Sequence, residues 1–162
     1  MKTRIRYAFV FAVVAFATFS GGFLLQRSVP QVAAAEPAAE AAQPEPVEAD
    51  MHEFMEYQFQ PVYLRLKQSL AKAPADRAGW KGVKSDSLIL AEGGNLLLLR
   101  KPDADAADWD RYSVETRQHG GDLYRAAKAS DYPAARKHYE AMLVSCNACH
   151  TQFADGKHQL KP

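Results

Sequence analysis

Cysteine is scarce in this chain: 162 residues contain two, Cys146 and Cys149. Two thiols cannot build the disulfide framework of a small secreted scaffold, nor a structural zinc site made of four cysteines. Charge of one sign is equally lacking. A formal net charge of +1 gives no strong field to steer a partner, and no basic stripe interleaved with aromatics suggests nucleic acid. No segment alternates polar and apolar residues as a half-buried strand would. Away from the cysteines, no acid, base and nucleophile gather in the pattern of a hydrolase, so a non-catalytic role is expected.

What is present is concentrated near the C-terminus, in Cys146-Asn147-Ala148-Cys149-His150. Two cysteines three apart with histidine directly after is the attachment pattern of c-type haem. Both thiols add to the haem vinyl groups, and the imidazole takes an axial position on the iron. On a helix, positions i, i+3 and i+4 share one face, so Cys146, Cys149 and His150 can address one flat macrocycle. A thioredoxin-like pair would need a preceding strand. Zinc would need a fourth ligand, for which His158 is the nearest candidate. A plain disulfide would leave the histidine unexplained. The expected cofactor is one covalent haem c.

Residues 1–28 read as an export segment. Lys2, Arg4 and Arg6 precede an uncharged run from Tyr7 to Gln26 rich in Phe, Val, Ala and Leu. At about twenty residues the run is long enough to span a bilayer. Cleavage after Ala33-Ala34-Ala35 would remove it; retention would anchor the chain, and the extension through Phe23 to Leu25 favours the anchor. Either way the expected localisation is periplasmic, with or without a tether to the inner membrane. Residues 29–50, with Pro30, Pro37, Pro44 and Pro46 among Ala and Glu, have too little apolar surface to offset the entropy of ordering and read as an extended tether.

Residues 51–162 suffice for one small domain, expected to be all-α. Phe54, Met55, Phe59, Val62, Leu66 and Leu70 recur at threes and fours over a helix from about Met51 to Lys72, which Pro61 should bend or break. A second helix covers about Asp76 to Arg100, with Trp80, Val83, Leu90, Leu97 and Leu98 inward. Its Gly93-Gly94 would let another helix or a cofactor edge come close. A third spans about Asp105 to Ala129, with Trp109, Val114 and Tyr124 as core candidates. The fourth runs from Tyr132 to about Ala154, capped by Asp131, with Pro133 in its first turn. Short turns between four helices predict an antiparallel up-down-up-down bundle whose core can house a cofactor.

With the attachment motif near the end of the last helix, the domain resembles class II c-type cytochromes, the cytochrome c-prime family. The resemblance covers about Met51 to Phe153. Its one specific motif is Cys146 to His150; the rest is architecture. It implies a four-helix bundle with His150 as proximal axial ligand and the distal position supplied by the first helix, at or next to Met55. Members with an apolar residue there keep a five-coordinate iron open to small gases. A methionine implies a six-coordinate, low-spin electron carrier, since a thioether is a soft ligand that raises the iron potential.

Met55 is the expected distal ligand; Met51, one turn earlier, His52, and an open position are the alternatives. Met55 as ordinary core packing is the plainer explanation of a methionine at helical spacing. His119 and His138 read as surface or rim residues, and His158 as part of a polar tail. Phe54, Phe59, Tyr139 and Phe153 fall where a haem pocket would use them. Family members often carry Arg or Lys four residues after the haem histidine, where this chain has Ala154, so the gas-release chemistry of that side chain is not carried over. The expected function is single-electron transfer between periplasmic or membrane redox proteins; the alternative is a gas-binding cytochrome c-prime. The resemblance also implies a homodimer through the outer faces of the first two helices.

Overall fold

The computed structural model of the chain describes residues 43–162. The expected export segment and most of the expected tether lie outside the described residues. Ala42–Pro162 forms one compact unit. Among the described residues there is no strand, and no helix is long and apolar enough to cross a membrane.

The described residues fold as four helical rods. The first comprises α1 (Met51–Phe54), a π-helical turn (Met55–Phe59) and α2 (Gln60–Ser69); α3 (Arg77–Leu98), α4 (Ala106–Lys128) and α5 (Tyr132–Phe153) follow. Asp50, Asp76 and Asp131 start three of the rods, each accepting a hydrogen bond from the backbone N–H three residues on. A carboxylate there satisfies an orphan donor and complements the helix dipole. Asp105 instead precedes α4 in the left-handed conformation, φ 57°, which Asp tolerates better than most residues.

The π turn is the form taken by the break expected at Pro61. Proline has no N–H to donate to the carbonyl of Tyr57, and its ring crowds that oxygen in a regular helix. Upstream, Gln60 N–H reaches back five residues to Met55 O. The extra residue turns the helix face by roughly 100°, the angle one residue occupies on an α-helix. Met55, at the start of the turn, is thereby set on a different line from the Val62, Leu66 and Leu70 stripe, while Phe59 packs against both clusters.

The main core joins Val62, Leu66, Leu70, Trp80, Val83, Leu90, Leu123, Tyr139, Met142 and Leu143. A smaller cluster of Phe54, Leu97 and Trp109 gathers Met51, Met55, Phe59, Cys149 and Phe153 around it. On α4 the buried aromatic and aliphatic residues are Trp109, Tyr112 and Leu123, whereas Val114 and Tyr124 are only half-buried. Ser113, Thr116, Gly120, Ala126 and Ala127 complete its inner face.

That face is small because α3 and α4 touch backbone to backbone. A Cβ at Gly94 would lie 2.8 Å from Arg117 N and Ser113 O, and one at Gly120 would lie 2.9 Å from Ala91 Cα. Each helix packs against its sequence neighbours: α2 on α3, α3 on α4, α4 on α5. The first rod and α5 do not come into close backbone contact. Side chains of both meet in the main core, and among the described residues the direct hydrogen bonds between them lie at one end, where Tyr132 Oη and Arg136 Nη1 donate to Leu70 O at 2.9 and 3.1 Å.

Gly94→Ala is expected to lower stability by about 1–3 kcal/mol, because neither neighbouring backbone can yield to the added methyl. Gly82, with nothing within 4 Å of an added Cβ, is the control. Alanine there should stabilise by about 0.5–1 kcal/mol through helix propensity alone. Thermal unfolding of both variants checks the pair. Equal effects at the two positions would contradict the tight α3–α4 seam.

Candidate functional site

Beyond the pinned end, the gap between the first rod and α5 opens into a cavity of about 770 Å³. This lies within the about 300–1,000 Å³ range of small-molecule and cofactor pockets. Met51, His52, Met55 and Phe59 line it from the first rod, and Cys146, Cys149, His150 and Phe153 from α5. Trp109, Tyr112 and Thr116 of α4 and Leu90 and Leu97 of α3 close it.

The expected haem-attachment and iron-ligand candidates, Cys146, Cys149, His150, Met51, His52 and Met55, all border this one cavity. Of the four aromatics expected to serve it, Phe59 and Phe153 do. Tyr139 is buried in the main core instead, and Phe54 belongs to the smaller cluster beside the cavity.

Apolar packing positions the walls. Phe153 meets the Trp109 ring edge-on at 5.1 Å between centroids, and Phe54 meets Phe59 likewise at 5.6 Å. The Trp109 indole N–H donates to Leu97 O at 2.8 Å, tying α4 to the end of α3. Gly93 makes room for Phe59: a Cβ there would stand 2.7 Å from the ring. The Gly93-Gly94 pair thus admits both an aromatic ring and a neighbouring helix.

The donor atoms differ in surroundings. Met55 sits with Cys149 in the apolar cluster around Trp109. His52 is exposed, and its Nε2 lies 3.5 Å from the Glu56 carboxylate. Burial pushes the Cys146 thiol up to about 12 and the Cys149 thiol up to about 11. Both are therefore neutral thiols at pH 7, unlike the acidic thiolate of a redox-exchange cysteine.

The segment after α5 proves to be part of the site. The chain reverses through Asp155, Gly156 and His158, all at positive φ, and returns between the first rod and α5. Asn147 holds it by two hydrogen bonds: Leu160 N donates to Asn147 Oδ1 at 2.7 Å, and Asn147 Nδ2 donates to Leu160 O at 2.9 Å. From the other side Tyr63 Oη donates to Lys161 O at 2.8 Å. Ala154, His158, Gln159 and Leu160 thereby become cavity wall.

The same reversal sets the state of His150. Its Nδ1 lies 2.9 Å from His158 O. A carbonyl only accepts, so Nδ1 carries the proton and Nε2 keeps its lone pair for a ligand. The sequence marked Cys146, Cys149, His150, Met51, His52 and Met55. It did not mark Asn147, Tyr63 or the returning tail, whose roles come from contacts far apart along the chain. The three adjacent glycyl or polar residues Asp155, Gly156 and Lys157 were the one local sign of a turn there.

No family model, curated protein or solved structure matches the chain.

Asn147→Ala is expected to release the returning tail while leaving α5 intact. Loss of two hydrogen bonds worth about 1 kcal/mol each should speed amide exchange at Leu160 by roughly thirtyfold. Hydrogen-exchange mass spectrometry of the C-terminal peptide reads this directly. Unchanged protection would show that the tail is held by something else.

Proposed function

We propose that this chain is an exported monohaem c-type cytochrome of the class II kind, an electron carrier and not an enzyme. One haem would be bound through thioethers to Cys146 and Cys149, with His150 as proximal and Met55 as distal iron ligand. The single observation that carries the reading is the convergence of these four residues, from helical elements far apart in sequence, on one cavity of about 770 Å³.

The residues present fit the group. Two neutral thiols and an imidazole share a face of α5, and the opposite wall offers a thioether, a soft ligand suited to haem iron. The rest of the wall is mostly aromatic and aliphatic, as a porphyrin face requires. Pinning the end of α2 to the start of α5 supports the antiparallel up-down-up-down arrangement, since it leaves the far ends of those two rods, Met55 and the attachment motif, opposite one another.

When bound, the haem supplies a ferric–ferrous couple that passes one electron at a time. The protein's own part is to hold its axial groups still. The His158 carbonyl fixes the tautomer and orientation of His150. Packing among Phe54, Leu97 and Trp109 restrains Met55. The apolar wall limits water, which lowers the reorganisation that accompanies each transfer.

His52 is the weaker distal candidate, because it is exposed and faces Glu56. The partners would be periplasmic or membrane redox proteins, and residues 1–28 would export the chain or tether it to the inner membrane.

Visible spectra of the ferric and ferrous protein test the assignment. The wild type is expected to be low-spin in both states, with a weak sulfur-to-iron band and little response to carbon monoxide. Met55→Ala should lose that band, become high-spin when reduced, and bind the gas. A wild type that is already high-spin and shifts with carbon monoxide would replace electron transfer by gas binding at an open distal site.

A further inference from the structure

His119 on α4, Asp122 one turn further along it, and His138 on the facing side of α5 stand together outside the cavity. One ligand atom from each lies within 4.8 Å of the other two, and all three residues are half-buried. His138 Nδ1 is 3.8 Å from Asp122 Oδ2, and the imidazole centroids are 6.4 Å apart. His119 Nδ1 is buried with no hydrogen-bond partner. The other Asp122 oxygen, Oδ1, accepts from Arg125 Nη2.

We propose that these three side chains form a second, non-haem site that binds one divalent transition cation of the zinc class. The donor set selects the ion. Two imidazoles and one carboxylate suit Zn²⁺ or Cu²⁺, whereas Ca²⁺ and Mg²⁺ demand an all-oxygen shell. Ligands on one zinc at about 2.0–2.2 Å stand roughly 3.3–3.6 Å apart in a tetrahedron, so closing this group needs a move of about one ångström.

Rotamer adjustment in half-buried side chains supplies that. The arrangement is poorly satisfied as it stands: 3.8 Å is long for a histidine–carboxylate contact, and the buried His119 Nδ1 has no hydrogen-bond partner, which costs free energy. Arg125 acts as the outer partner, orienting the carboxylate while reducing its charge. A fourth position stays open for water.

The site bridges α4 and α5, and His138 is about 12 Å along the α5 axis from Cys146, from the helical rise of 1.5 Å per residue. A bound cation would therefore clamp the helix that carries the attachment motif without touching the cavity.

The test uses the full chain equilibrated with Zn²⁺, with bound metal counted after dialysis and unfolding followed by circular dichroism. Wild type is expected to retain one zinc and to gain at least about 5 °C in Tm at saturation. His138→Gln should lose both effects while keeping its helical spectrum. Asp122→Asn, which keeps both imidazoles, should bind about tenfold more weakly.

No retained zinc in the wild type would overturn the proposal. So would retention by His138→Gln, since zinc held elsewhere, at the thiols for instance, would survive that change.

Discussion

The backbone contact of α3 with α4 is the constraint on which the rest depends. Gly94 and Gly120 each present a surface on which even a methyl would collide with the opposite main chain. With these helices drawn together, the bundle is narrow on one side. The first rod and α5, held apart except at Leu70, leave their seam to be filled by side chains at one end and a cavity at the other. Close packing of α3 on α4 and the opening opposite are thus two aspects of one geometry. The π turn serves the same end, since it turns Met55 off the stripe that packs the closed half.

The returning tail brings the last residues to the cavity. Tyr63 on α2 and Asn147 on α5 both hold it, so it bridges the seam that the helices leave open. Because Asn147 lies between Cys146 and His150, the tail is anchored from inside that five-residue stretch. The His158 carbonyl then reaches His150 and fixes which nitrogen is free.

Much of the fold was legible because its signals are local. Aspartates at the helix starts, Pro61 and the apolar spacing of the first two rods gave boundaries within a few residues of those observed. The inner face of α4 was legible only in part. Its Ser113, Thr116, Gly120, Ala126 and Ala127 are buried for their small size, which no hydrophobic period reveals, so Val114 and Tyr124 stood out in place of Tyr112 and Leu123. That Cys146, Cys149 and His150 would share one face of α5 was legible because i, i+3 and i+4 define a face by themselves. The closeness of His119 to His138 was not, since it depends on how two helices face each other. Nor was the tail, which has no periodicity and is ordered by Tyr63 and Asn147.

Covalent attachment at the motif is the claim on which the functional account turns. The most direct measurement is the intact mass of the protein under denaturing conditions, beside that of Cys146→Ser/Cys149→Ser. The account predicts a wild-type chain heavier by one haem that resists acid–acetone extraction, and a variant from which any haem is extracted. A wild-type mass equal to that of the bare polypeptide would contradict it.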